Sequence, residues 1–162
     1  MAGETRTQIK DRVRIDDRGF KVLARRLGQI NRARVSVGIF EDAPPVEEGF
    51  TMASLAAVHE FGSRDGRIPE RSFLQSTADV NADEYQQEFE RYTDRVVLEG
   101  RTASGELFKF GQRVRRDIIN RIRTGEITPA LEQSTIDRKG SSTPLIDTGA
   151  LLGSINARVT KK

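Results

Sequence analysis

Apolar and polar positions along this chain repeat with two different periods, and the changes of period outline its elements. Phe20, Leu23, Ala24, Leu27 and Ile30 recur three and four residues apart. Residues 18–30 therefore read as an amphipathic helix, with Arg25 and Arg26 outside the stripe and Asp16 or Asp17 placed to cap it. Over 33–40 the period falls to two, and Val35, Val37 and Ile39 share one face of a strand. Residues 41–50, with two prolines, a glycine and four acids, form a solvated loop. Thr51 stands as an N-cap before a short helix over 51–60 that stops near Gly62. Residues 62–72 are a second loop.

The second half repeats the helical period at greater length. Ala78, Ala82, Tyr85, Phe89, Tyr92 and Val96 predict one helix over 75–99, stopped by Gly100. Leu107, Phe110 (or Gly111), Val114, Ile118 and Ile122 predict another over about 104–123, ended by Gly125. A short helix is expected over 129–138 with Pro129 in its first turn, then a Gly/Ser loop over 139–143. A helical turn over 150–155 and a terminal strand over 155–160 complete the series. Residues 1–17 carry only Ile9, Val13 and Ile15 as apolar anchors and read as an N-terminal arm, mobile or partly helical. The remainder, 18–162, reads as a single α+β domain: a small antiparallel β-sheet packed against two long α-helices.

Composition narrows the possibilities. The chain has 162 residues, enough for one core, yet only 36% are hydrophobic and 31% are charged. That balance predicts a modest core plus segments that gain order against a partner. The absence of cysteine excludes disulfides, thiolate metal sites and a cysteine nucleophile. No apolar run approaches the roughly 20 residues of a membrane helix, and the first residues carry no apolar signal core, so a soluble protein without membrane contact is expected. The net charge of +3 hides a pattern: residues 1–34 carry +6, residues 35–110 carry −8 and residues 111–162 carry +5. Such alternation suits pairing with copies of itself, with other proteins, or with nucleic acid at the basic ends.

Candidate chemistry is sparse. His59 is the only histidine, and no nucleophile and orienting acid are placed beside it for a triad. His59-Glu60 opens a zincin-like His-Glu-x-x-His, but the second ligand position is Ser63, so a histidine zinc site is excluded. Asp147-Thr148-Gly149 resembles the turn of retroviral-type aspartic proteases, yet only thirteen residues follow it, too few for the barrel such an enzyme needs. The expectation there is structural: Asp147 or Thr148 caps the helix that begins near Ala150, and Gly149 permits the tight turn. The glycines match no phosphate-binding spacing and the acids no calcium loop. Arg113, Arg115, Arg116, Arg121 and Arg123 decorate one predicted helix, and nonspecific nucleic-acid binding through that face is the alternative function.

A composite pattern points elsewhere. Val37-Gly-Ile-Phe40 ends a strand, Met52-Ala-Ser-Leu-Ala-Ala-Val-His-Glu-Phe-Gly62 follows the acidic loop, and Arg67-Ile-Pro-Glu-Arg-Ser-Phe-Leu74 precedes the long helix. Ser134-Thr-Ile-Asp-Arg-Lys-Gly140, Pro144-Leu-Ile-Asp-Thr-Gly149 and Leu151-Leu-Gly-Ser-Ile155 stand near the C-terminus. Over roughly residues 33–158 the chain resembles the tailed-bacteriophage virion morphogenesis proteins, which include tail-completion and head–tail joining components. Two positions depart from that family: Ser72 where proline is common, implying a less rigid loop, and Ala150 where arginine is common.

The resemblance implies a non-enzymatic protein without cofactor. It would form a homo-oligomeric ring, a hexamer or dodecamer, through extended loops. Its expected partners are proteins of the connector, neck or tail tube, with passing DNA contact as a further option, and its place is the virion after synthesis in the host cytoplasm. His59, Phe61, Arg67, Ile68, Pro69, Arg71, Phe73 and Leu74 are the expected interface residues. The loop between them is expected to be braced by His59 and Phe61 on one side and Phe73 and Leu74 on the other. Arg67 and Arg71 are expected to serve assembly more than folding.

Overall fold

A computed structural model describes residues 17–129 and 149–161, and within them the chain is α+β. Six helices and two strands follow in order: α1 Arg18–Arg32, β1 Ala33–Ile39, α2 Met52–Phe61, α3 Gln75–Val80, α4 Ala82–Val97, α5 Ala103–Thr124, α6 Ala150–Ser154 and β2 Ile155–Lys161. The arm ahead of Asp17, the helix expected over 129–138, the 139–143 loop, and Asp147 and Thr148 lie outside the described residues (Pro129 itself is described).

The two strands pair antiparallel, with Val35 opposite Val159, Val37 opposite Ala157 and Ile39 opposite Ile155. These odd-numbered positions present an apolar face, and α5 crosses it. Gly111 makes the crossing possible. A Cβ built there would lie 2.6 Å from Val35 Cγ2 and 3.0 Å from Ala157 Cβ. Helix α5 thus meets the sheet at a residue with no side chain.

Two apolar clusters flank this crossing. One joins Met52 and Ala56 of α2, Phe73, Ile118 and Ile122 of α5, and Leu151, Leu152 and Ile155. The other joins Tyr92 and Val96 of α4 to Ala103 and Leu107 of α5, with Ile30, Val35 and Val159 against them. Helix α5 therefore covers the sheet along its length, whereas α4 reaches it only through its C-terminal half.

An ion network around the buried Glu106 sews α4 to α5. Glu106 accepts from Arg95 Nε at 2.6 Å and from Lys109 Nζ at 2.6 Å, and Arg95 also reaches Glu88 at 2.8 Å. Arg113 bridges Glu84, Glu88 and Asp117. The Lys109 hydrogen bond, helped by Arg95, holds the Glu106 carboxyl below its ordinary range although burial opposes it. Tyr85 donates to Asp117, and burial followed by that neighbouring charge pushes its hydroxyl well above the ordinary tyrosine value.

Three sequence expectations change. The single helix expected over 75–99 is two helices, broken at Asn81, whose backbone leaves the helical region (φ −102°, ψ 12°) while its side chain donates to the Thr77 carbonyl. An asparagine amide competing for an i−4 carbonyl is a known way to end a helix. As a result Ala78 and Ala82, expected on the apolar stripe, face solvent. Asp17 sits at the N-cap of α1 without a side-chain cap bond and pairs instead with Lys21 at 2.9 Å. The apolar stripe of α1, finally, is not buried: no residue of that helix is, and Phe20 is 73% exposed.

Candidate interaction site

The segment from His59 to Leu74 folds as a loop held shut by one carboxylate. Helix α2 buries Met52, Ala56 and Glu60 on one stripe, so Glu60 points inward as the last of a four-residue series. Its side chain is 5% exposed. One oxygen accepts from Ser72 Oγ at 2.8 Å and the Gln75 N–H at 2.9 Å. The other accepts from the N–H groups of Phe73 at 2.8 Å and Leu74 at 2.9 Å.

These amides belong to the entry of α3, where backbone donors have no intrahelical acceptor. Leu74, at the N-cap, supplies none from its side chain. Glu60 therefore caps α3 from another helix, and its negative charge lies at the end of α3 that favours it. Within the loop, the Arg71 N–H donates to the His59 carbonyl at 2.8 Å, and the Ser63 N–H to the Ile68 carbonyl at 2.8 Å.

The tip is ordered by local bonds. Asp65 accepts from Ser63 Oγ at 2.6 Å and the Arg67 N–H at 3.2 Å, and these bonds, Ser63 first, hold its carboxyl below the ordinary range. The Ile68 N–H donates to Ser63 Oγ at 2.8 Å. Gly62 carries the close approach of the two loop arms: its φ is +79°, and a Cβ would lie 3.1 Å from the Glu70 nitrogen and 3.1 Å from the Ile68 oxygen.

The eight expected interface residues divide cleanly. Arg67, Ile68 and Pro69 stand exposed on the tip, and Phe61 is 77% exposed beside it. Phe61 therefore does not brace the loop from within, because it projects from the end of α2 into solvent. Phe73 is fully buried in the core, and Leu74 packs against it from a half-buried position. His59 is half-buried and gives its carbonyl to the loop.

Arg71 is buried, and its Nε donates to the Pro129 carbonyl at 2.9 Å, tying the loop to the chain that leaves α5. Arg71 therefore makes a folding contact inside the chain, which its expected role in assembly did not include. Ser72, expected to loosen the loop where a proline is common, contributes one of the four bonds to Glu60. Gly149 has φ +76°, the left-handed conformation expected of the turn before α6.

Between the loop and the sheet lies a groove of about 480 Å³. Val37, Val114 and Ile118 contribute apolar surface to it, and Phe61, Leu74 and Glu70 frame it. An exposed phenylalanine thus stands beside an apolar groove, with Arg67 and Ile68 exposed on the neighbouring tip.

Helix α5 offers less to nucleic acid than its sequence suggests. Arg113 and Arg121 are committed to Glu84 and Glu126. Arg115 donates to the Ile155 carbonyl at 2.6 Å. Arg116 and Arg123 remain without an ion pair among the described residues, beside a groove of about 590 Å³ near Gly149 and Leu152.

Glu60 was missed because its partners lie 12 to 15 residues away. Two local deficits signalled it: a carboxylate in the last turn of a helix, where the dipole disfavours it, and a helix start without a capping side chain. Among the described residues, no cluster of metal-ligating side chains is present, and no helix is long and apolar enough to cross a membrane. No protein-family model, no curated protein and no solved structure matches the chain.

Proposed function

We propose that this chain is a structural protein of a tailed-bacteriophage virion, sited at the neck or tail end, where copies form a ring that completes the tail or joins it to the head. The reading begins from the His-Glu-Phe-Gly and Ile-Pro-x-Arg-x-Phe-Leu segments and their resemblance to virion morphogenesis proteins. One observation carries it further. The residues between those segments form a tip ordered by Ser63 and Asp65, on a loop closed at its base by the four bonds to Glu60, with Phe61, Arg67 and Ile68 turned outward.

A docking element that is ordered before binding loses less conformational entropy when it docks, so more of its contact energy appears as affinity. The same bonds explain why the motif residues are of these kinds. Glu60 closes the loop, Gly62 lets its arms approach, Phe73 anchors it in the core and Arg71 ties it to Pro129. What is left over for a partner is the outward set. The proposal gives the protein no catalysis and no cofactor; its partners are further copies and proteins of the connector, neck or tail tube.

Electron microscopy of particles assembled without this protein tests the proposal. Unjoined heads and tails, or tails with an abnormal end, are expected. Normal infectious particles made without it would overturn the reading.

A further inference from the structure

Helix α1 is the element whose sequence and surroundings disagree most. It is strongly amphipathic, yet none of its residues is buried. Phe20, Leu23 and Leu27 lie on one face and all are exposed. The helix is held to the body from its middle onward, where Arg26 donates to the Val97 carbonyl at 2.5 Å and Ile30 joins the α4–α5 cluster. Its charge is one-sided: Arg18, Lys21, Arg25, Arg26 and Arg32 are present and no acid is. Beside the apolar face, a groove of about 650 Å³ runs between α1 and the start of α5. Small residues Ala24, Gly28 and Ala103 line it, with Arg25, Arg32 and Lys161 as its cations. Arg25 and Arg32 have no ion pair among the described residues.

The complementary surface is on α4. Asp83, Glu90 and Asp94 fall on one face of that helix, within about 40° of one another at 100° per residue. All three are exposed and have no ion pair among the described residues. Leu98, directly after the helix, continues that face and is 72% exposed. Glu84 and Glu88, by contrast, are engaged with Arg113 and Arg95 inside the chain. On α1, Arg25 and Arg32 share one face with Lys21, within about 40° of one another at 100° per residue and edged by Ala24 and Gly28 of the groove, whereas α4 offers unpaired acids beside an exposed leucine.

We infer that α1 of one copy docks on the acidic face of α4 of a second copy, with Leu98 set against Ala24 and Gly28 of the groove and Arg25 and Arg32 set against Asp83, Glu90 and Asp94. This deepens the proposed ring and rests on that reading. Opposed charge fixes the register of such a contact, and Leu98 in the groove supplies burial. The contact is weakened by salt, because its ion pairs lie at the surface.

Charge reversal tests it. One variant carries K21E, R25E and R32E; a second carries D83K, E90K and D94K; a third carries all six. Every altered side chain is exposed, and thermal melts confirm that each variant is folded. Sedimentation across protein and salt concentration reads the association. Each three-site variant is expected to associate at least about tenfold more weakly than the parent, and the six-site variant to recover to within about threefold, because reversing both partners restores attraction.

Unchanged association in the three-site variants overturns the contact. So does a six-site variant as weak as either parent variant. A parent protein that stays monomeric at every concentration also overturns it, while the virion assignment is decided separately on particles lacking the protein. Binding of the parent, but not the α1 variant, to phosphatidylserine vesicles with all masses unchanged would give the α1 face to a membrane and overturn the inference.

Discussion

Replacing Glu60 by Gln isolates the carboxylate that closes the loop, because size and shape are kept while one oxygen becomes an NH2 group. In the parent, each oxygen accepts two hydrogen bonds, and three of the four donors are backbone N–H groups. The best-placed glutamine puts its nitrogen where Ser72 Oγ and the Gln75 N–H now donate. The Ser72 hydroxyl can turn and accept, but the Gln75 N–H cannot, so one amide loses its partner.

An orphaned buried donor costs about 1–3 kcal/mol, and loss of the charge on the remaining bonds adds to that, giving about 2–4 kcal/mol in all. At about 2–4 °C per kcal/mol for a chain of this size, the melting temperature should fall by about 4–16 °C. Urea unfolding followed by circular dichroism, together with a thermal scan, measures both. Glu60→Ala should cost at least as much, because it removes the acceptor for all three amides. A glutamine variant within about 0.5 kcal/mol of the parent, the ordinary scatter of surface substitutions, would refute the capping role.

Four further outcomes follow from the same geometry. Gly111→Ala places a methyl 2.6 Å from Val35 Cγ2 and should destabilise by about 1–3 kcal/mol in urea unfolding, unlike Gly153→Ala, where a Cβ meets nothing within 4 Å. Glu106, held low by Lys109 and Arg95, contributes stability that is complete above the ordinary carboxylate range and is lost as pH falls through its depressed value. Glu106→Gln should therefore flatten the acid limb of a stability-against-pH curve. The pair Arg67→Ala and Ile68→Ser, both on exposed residues, should leave the melting temperature within about 2 °C of the parent and yet reduce incorporation into particles, scored by complementation. Arg116→Glu with Arg123→Glu should abolish any salt-dependent DNA binding in a fluorescence titration, whereas Arg115→Glu should also unfold the contact with Ile155 and lower the melting temperature.

The elements were legible in the sequence wherever period and punctuation agreed. The period-two run of β1, the Thr51 cap and the stop at Gly125 all appear as expected, the last in a left-handed conformation. Thr51 accepts from the Ser54 N–H at 3.0 Å, as its position before α2 predicts. What could not be read were features set by distant partners. The interruption at Asn81 comes from an amide that finds the Thr77 carbonyl, and a stripe of apolar spacing ran straight through it.

The exposure of α1 is the opposite case. Its pattern is legible, but a pattern shows only that a face is apolar, not which surface covers it. At the candidate site, the tip residues Arg67, Ile68 and Pro69 stand outward, while Arg71 and Phe73, in the same short segment, turn inward. Alternation along an irregular loop follows its hydrogen bonds and not a fixed period, so only the fold could sort them. The Glu106 network shows the same limit, although its signal was present: a glutamate one residue before Leu107, on the buried side of α5, needs cations to accompany it, and Arg95 lies on another helix.

The central claim is assembly, and mass tests it most directly. The purified chain, of 18.1 kDa, can be weighed by native mass spectrometry or sedimentation, alone and after incubation with tail tubes. A discrete multiple of the subunit mass, free in solution or recovered on the tube ends, is the predicted result. A single-subunit mass in both conditions, with nothing retained on the tubes, would contradict it.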